Sequence, residues 1–256
     1  METINVTDDT ILKTIPINTF SSTTGQIKSF ASCSIVQYKG KDIVLTVAHC
    51  MDDNRLIGIN LGAYQGQPNI LFFRPYPVKI MRIRTGIAVL SRFKSFLKPA
   101  IKSFDDIFAT NKSQYDMLYA DIPPNIVPRH PVIDSPLFNK PKKKIPIRFP
   151  IMVNKMDFYQ FYGLCFKGFS DGMIKFENIS ASDMRFIKND GDDFYIFKSK
   201  QLPERIDGCS GAPILDKGGQ IVSMVVRYKK GRIWGLNLNK LCAIFDASYD
   251  RSLYGQ

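Results

Sequence analysis

Only two of the chain's 256 residues are histidine, His49 and His130, so any reaction that needs an imidazole must use one of them. Five cysteines are present (Cys33, Cys50, Cys165, Cys209 and Cys242), but none forms a CxxC pair and none stands with histidine at zinc spacing. A structural metal is not expected, no cofactor is implied, and an odd count without a leader points to free thiols. No apolar run comes near the ~20 residues of a membrane helix. The opening "METINVTDDTILKTIPINTF" carries acids and no continuous apolar core, so a soluble, cytoplasmic chain is the expectation. Acids are the minority: 23 Asp and Glu against 35 Lys and Arg leave a net charge of +12. That balance suits acidic partners such as nucleic acid or an anionic membrane, and equally a merely solvated basic surface. A composition 45% hydrophobic and 23% charged excludes disorder, and the length suffices for one large core or two compact ones.

What the chain has in quantity is short runs of β-branched and aromatic residues separated by turn formers. "SCSIVQYKGKDIVLTVAH" reads as two strands joined at Gly40, and "YGLCFKGFSDGMIKFENI" turns at Ser170-Asp171-Gly172. "GDDFYIFKS" is a further strand, and "APILDKGGQIVSMVVRYKKGRIWGLNL" holds two hairpin connections, at Lys217-Gly218-Gly219 and Lys229-Lys230-Gly231. Many strands with regular turns predict an all-β sandwich or barrel.

Between Ile122 and Pro150 lie eight of the fifteen prolines. Such a segment cannot donate into a ladder and reads as an extended connector between two β units. Its "KPKKK" is a solvated loop or a phosphate contact, and His130 in "VPRHP" reads as a surface loop residue. "GIAVLSRFKSFLKPAIKSFDDIF" places Ile87, Leu90, Phe93, Leu97, Ile101 and Phe104 three or four apart, with Arg92, Lys94, Lys98 and Lys102 between them. That spacing predicts a basic amphipathic helix broken at Pro99, folded over a barrel or offered to a membrane or partner. "NLNKLCAIFDASYD" predicts a closing C-terminal helix.

The stretch "IDGCSGAPILDKGGQIVSMVV", Ile206 to Val226, puts Ser210 between Gly208 and Gly211. Glycine there permits unusual backbone conformations and the close approach of a substrate carbonyl. The amides of Gly208 and Ser210, aimed at one point, would stabilise an oxyanion. A serine nucleophile needs a histidine base oriented by a carboxylate, and His49 ends the apolar strand "DIVLTVAHC" where such a side chain would reach a rim.

"VLTVAHC" together with "DGCSGAP" resembles the histidine and serine motifs of the trypsin/chymotrypsin-like serine peptidases. The resemblance implies two antiparallel β-barrels with the active site between them. The first would span residues 1–122, with a partly helical insertion over about 86–112. A connector over 123–146 would lead to a second barrel over 147–256. It asks for an aspartate opening a strand, and Asp116 in "SQYDMLYADI" stands 94 residues before Ser210; Asp106 and Asp121 are the alternatives. It further implies Ser223 as support for the aspartate and Ser223, Met224 and Val225 as the substrate-pairing edge. Glu204, six residues before Ser210, would stand at the base of the specificity pocket.

The implied function is a serine endopeptidase acting on protein substrates, open to a regulatory protein partner. The alternative is a catalytically silent trypsin-like fold that binds protein or nucleic acid. Two departures set it apart from secreted trypsins. Cys209 replaces the aspartate that pairs with a new amino terminus, which makes the chain similar to intracellular bacterial or viral members; the serine motif gives the nucleophile's role to Ser210 rather than Cys209. Cys33 and Cys50 lie where relatives form a disulfide, offset by about one residue, which favours reduced thiols because such a slip turns side chains to opposite faces.

Overall fold

The structure, a computed structural model, describes residues 6–21, 27–50, 55–64, 67–73, 76–83, 86–89, 112–122, 127–130, 135–170 and 173–242. It opens with α1 (Asp8–Lys13), one short helix whose Thr7 cap accepts the Thr10 amide at 3.3 Å, with Asp8 and Asp9 in its first turn and Lys13 in its last.

Nine strands follow: β1 (Ile15–Ser21), β2 (Ile27–Tyr38), β3 (Lys41–Thr46), β4 (Arg55–Tyr64), β5 (Gln67–Phe73), β6 (Tyr76–Ile83), β7 (Gly86–Val89), β8 (Lys112–Asp121) and β9 (Ile145–Pro146). They form one sheet in the order β5-β4-β1-β2-β3-β8-β6-β7, with β9 parallel to β2 and the other pairs antiparallel. Where a first barrel is expected, the described strands run as an open path from β5 to β7. The second unit is a closed antiparallel barrel: β10 (Phe158–Ser170), β11 (Met173–Asp190), β12 (Phe194–Lys198), β13 (Pro213–Leu215), β14 (Ile221–Lys229) and β15 (Arg232–Leu236), in the order β10-β11-β12-β15-β14-β13.

Turn chemistry places the hairpins. Lys39 and Gly40, at φ 46° and 80°, join Tyr38 to its partner Lys41; Lys230 and Gly231, at φ 49° and 73°, join Lys229 to Arg232. Two successive residues at positive φ match the right-handed twist of the flanking strands. One apolar cluster joins the two units, with Val36, Leu45 and Met117 of the first packed in common with Phe161, Phe197 and Met224 of the barrel. A smaller one, including Ile15, Ile17, Cys33 and Ile59, fills the other side of the first sheet. Among the described residues no helix is long and apolar enough to cross a membrane.

Three expectations change. Gly86–Val89, the start of the expected helical insertion, pairs with β6 as strand β7, because a neighbouring strand overrides local helical spacing; residues 90–111 lie outside the described residues. At the C-terminal end, Leu238–Lys240 form a 3-10 turn and helix begins at Leu241, with residues from 243 on outside the described ones. The connector is the largest correction: among its described residues His130, Leu137, Lys142 and Ile145 are buried, and Ile145–Pro146 pair with β2. Three of its four lysines have a side-chain partner, Lys142 the Ile11 carbonyl at 3.1 Å, Lys143 Asp9 at 2.6 Å and Lys144 Asp42 at 2.5 Å.

His130 is buried rather than exposed, at 1% relative exposure, and its Nδ1 lies 2.9 Å from the buried Lys142 Nζ. Burial lowers the Lys142 amine to about 7. Burial, and then the Lys142 charge, lower the His130 imidazole from 6.5 to about 4. The unfolded chain therefore binds a proton at this imidazole in the window where the folded one does not, and stability falls as the pH is lowered from 6.5 to 4. In His130→Gln that proton site is gone. Its melting temperature, followed by calorimetry, should decline less across this window than the parent's; parallel declines would contradict the assignment.

Candidate active site

The apolar β3, buried from Asp42 to Thr46, delivers the chain to the 3-10 turn Ala48–Cys50, which carries His49. Strand β8 lies beside β3, with Leu118 opposite Thr46, so Asp116 comes level with that turn. Its Oδ1 accepts the His49 backbone amide at 2.8 Å and its Oδ2 faces His49 Nδ1 at 2.9 Å. On the other side of the ring, Nε2 is 3.2 Å from Ser210 Oγ. With Nδ1–H donating to the carboxylate, the lone pair of Nε2 faces the hydroxyl. His49, Asp116 and Ser210 are thus brought into one hydrogen-bonded line. An imidazole so placed can take the hydroxyl proton as the oxygen attacks an acyl carbon.

Ser210 sits in a tight turn. The Cys209 amide donates to the Ile206 carbonyl at 3.1 Å, closing four residues with Gly208 third at φ 88°, a position that demands glycine. Among the described residues neither the Gly208 nor the Ser210 amide donates a hydrogen bond. The Cys209 thiol turns away: a Cβ on Gly163 would lie 2.5 Å from its Sγ, and burial, then Cys165 and Asp207, push the thiol well above its ordinary range. None of the five cysteines is in a disulfide.

The turn is seated from the opposite sheet by residues with no distinguishing sequence signal. The Ser32 amide donates to the Ser210 carbonyl at 2.7 Å, Ser32 Oγ donates to the Gly208 carbonyl at 3.1 Å, and Thr46 Oγ1 donates to the Ser32 carbonyl at 2.7 Å. Gly211, at φ 87°, admits this approach: a Cβ there would sit 2.0 Å from the Ser32 carbonyl oxygen. "FASCSIVQY" reads as any buried strand, so only the folded geometry identifies Ser32.

The remaining assignments fare less well. Ser223 Oγ is buried and donates to the Leu236 carbonyl at 2.8 Å rather than to Asp116. Ser223 and Met224 are occupied by their β13 partners Ile214 and Pro213. The Val225 amide donates to Ala212 at 2.9 Å while its carbonyl accepts from Gly211 at 2.7 Å. These three residues have no free edge. The unpaired edge of β14 begins at Val226, whose carbonyl is 3.5 Å from Ser210 Oγ. Glu204 is exposed in the loop before the serine turn, while nearby Tyr228 donates its hydroxyl to the Pro203 carbonyl. Among the described residues no cluster of His, Cys, Asp and Glu could hold a metal ion.

The carboxylate sets the electrostatics of the line. Its hydrogen bond is the largest influence on His49, ahead of Cys50, and it raises the imidazole from 6.5 to about 10 although burial opposes it. Burial pushes Asp116 up, but the hydrogen bonds from the His49 ring and from the His49 and Ala48 amides outweigh it and hold the carboxyl below its ordinary value. Neutral His49 therefore becomes more abundant as the pH rises. The His49 ring resonances should titrate far above 6.5 by NMR, and Asp116→Asn should bring the midpoint down towards 6.5. An unchanged midpoint in that variant would refute the pairing.

Neither a protein-family model nor a curated protein matches the chain. Among solved structures it is similar to a serine endoprotease from Yersinia pestis, with a TM-score of 0.51 and 10% identity over 96% of this chain and 67% of that one. A human pathogenic astrovirus serine protease matches with a TM-score of 0.40 and 9% identity, over 88% of this chain and 89% of that one. The first likeness is one of architecture, and by it the chain has a trypsin-like serine-protease fold.

Proposed function

We propose that the chain is a serine endopeptidase that processes protein substrates inside the cell through Ser210, His49 and Asp116. The observation that carries this reading is the unbroken line from the Asp116 carboxylate through the imidazole to the Ser210 hydroxyl, at 2.9 and 3.2 Å. His49 Nε2 takes the proton from Ser210 Oγ as that oxygen attacks the peptide carbonyl. The resulting oxyanion is met by the amides of Gly208 and Ser210. His49 then passes the proton to the departing amine, leaving an acyl-serine; water enters by the same route and releases the acid. Asp116 holds the ring in its tautomer and stabilises the imidazolium.

The substrate lies extended along the free edge of β14 from Val226 onward, adding a strand as in other β-augmentation complexes. On that strand Tyr228 ties β14 to the Pro203 loop. Activation does not run through a salt bridge at the residue before the serine, since that residue is the buried Cys209.

Ser210→Ala should lower peptide turnover by roughly a million-fold and abolish labelling by a fluorophosphonate probe. Labelling that survives the substitution would dismiss Ser210 as the nucleophile, and a wild-type protein that neither labels nor cleaves would leave a silent fold. Gly211→Ala keeps every reacting atom but forces the serine turn off Ser32. A displacement of about 1 Å should cost about a hundredfold in kcat, read from peptide hydrolysis alongside a melting curve that shows the fold retained.

A further inference from the structure

Strand register brings four cations into one line on the outer face of the barrel. Arg185 on β11 stands opposite Lys198 on β12, Lys198 opposite Arg232 on β15, and Arg232 opposite Lys229 on β14. Directly paired residues share a face and lie about 5 Å apart, and like charges so placed destabilise a sheet. Three strand spacings of about 4.8 Å make the line about 14 Å long. Lys198, Arg232 and Lys229 are exposed, and among the described residues none of them is ion-paired.

Two acids of β11 are hydrogen-bonded by groups outside the row. Asp183 accepts from Ser199 Oγ and from the Lys200 amide, and Asp190 accepts the Trp234 indole N–H at 2.7 Å and lies 4.0 Å from Arg227. Two guanidinium groups lie over rings within this band, Arg227 over Trp234 at 4.3 Å and Arg185 over Phe158 at 3.2 Å. Arg185 also donates from Nη1 to the Met156 carbonyl at 2.6 Å, so Lys198, Arg232 and Lys229 are the cations of the row with no partner among the described residues.

We propose that this face binds the phosphodiester backbone of a nucleic acid. Lys198, Arg232 and Lys229 stand side by side on three strands, repel one another and have no ion-pair partner among the described residues, so their use lies with an external polyanion. A lipid surface fits less well for the indole, because Trp234 is tethered to Asp190 through its N–H and lies under Arg227. The inference does not depend on the peptidase reading: Lys229 lies on the same strand as the substrate edge, but no residue of the row bonds to Ser210, His49 or Asp116 among the described residues.

The test is fluorescence anisotropy of the full-length chain with a labelled single-stranded RNA of about twenty nucleotides, titrated over about 50–200 mM salt. Binding should weaken with a log–log slope of about −2, from about three phosphates at ~0.7 each. The triple variant Lys198→Gln, Arg232→Gln, Lys229→Gln should lose at least about tenfold in affinity and most of that slope. It should also melt at a higher temperature than the parent, because like-charge pairs have been removed. Removing three exposed cations elsewhere, with Lys140→Gln, Arg148→Gln and Lys217→Gln, is the control for net charge. An equal loss in the control, unaltered binding in the row variant, or binding to phosphatidylserine vesicles but not to RNA would each overturn the proposal.

Discussion

The contact on which the site depends is the 2.7 Å hydrogen bond from the Ser32 amide to the Ser210 carbonyl. His49 and Asp116 are held by neighbouring strands of one sheet, and two bonds of 2.8 and 2.9 Å fix them to each other. Ser210 belongs to the other unit. The 3.2 Å gap between Nε2 and Oγ is therefore a measure of how the first sheet and the barrel sit together. Ser32 registers them three times over, through its amide, its hydroxyl and the carbonyl that presses on Gly211. Thr46, on the strand that leads to His49, holds that same carbonyl, so the seat of the serine turn and the stem of the histidine share one atom.

A second set of ties runs through the N-terminal segment. Thr10 donates to Gln160 at 2.7 Å, Thr14 to the Tyr162 carbonyl at 2.9 Å, and Lys13 to the Gly219 carbonyl at 2.9 Å, all on the barrel side. The same segment is gripped by the connector, through Lys142 on Ile11 and the Lys143 amide on the Leu12 carbonyl at 2.9 Å. Burying an amine is costly unless its donors are satisfied, and here the Ile11 carbonyl and His130 supply acceptors. The lowered proton affinities of Lys142 and His130 follow from that enclosure, and they tie the integrity of the connector to pH while His49, raised by its carboxylate, responds in the opposite sense.

Much of this was legible in the chain, for identifiable reasons. Turn glycines such as Gly40 and Gly231 announce hairpins because they supply the positive φ that a two-residue loop needs. "TVAHC" and "GCSGAP" announce His49 and Ser210 because each places one chemically distinctive side chain in a turn at a strand end, whereas Asp116 of "YDMLY" stands in the middle of β8 rather than opening it. The misplacements have an equally physical origin. Composition cannot say whether three lysines in a row meet water or Asp9, Asp42 and a buried carbonyl, since their partners lie over a hundred residues away. Helical spacing around Ile87 did not register that β6 offered a strand to pair with. Counting along "IVSMVV" could not reveal where β14 loses its neighbour.

That last point connects the nucleophile to the strand edge. Strand β13 is three residues long because the chain must leave the barrel at Ala212 to carry the serine turn across to Ser32. The paired bonds between Ala212, Gly211 and Val225 are the final rungs before that departure, and beyond them β14 keeps only β15 as a neighbour. The register of the β14–β15 pair shifts between Val225 and Arg227, leaving Val226 as the extra residue of a bulge, a device that redirects backbone groups at sheet edges. Its carbonyl accordingly stands 3.5 Å from Ser210 Oγ. One departure of the chain thus creates both the seated hydroxyl and the open backbone beside it. The two cannot be displaced separately: lengthening or shortening the turn from Asp216 to Gln220 would slide β14 against β13 and move the edge relative to the serine.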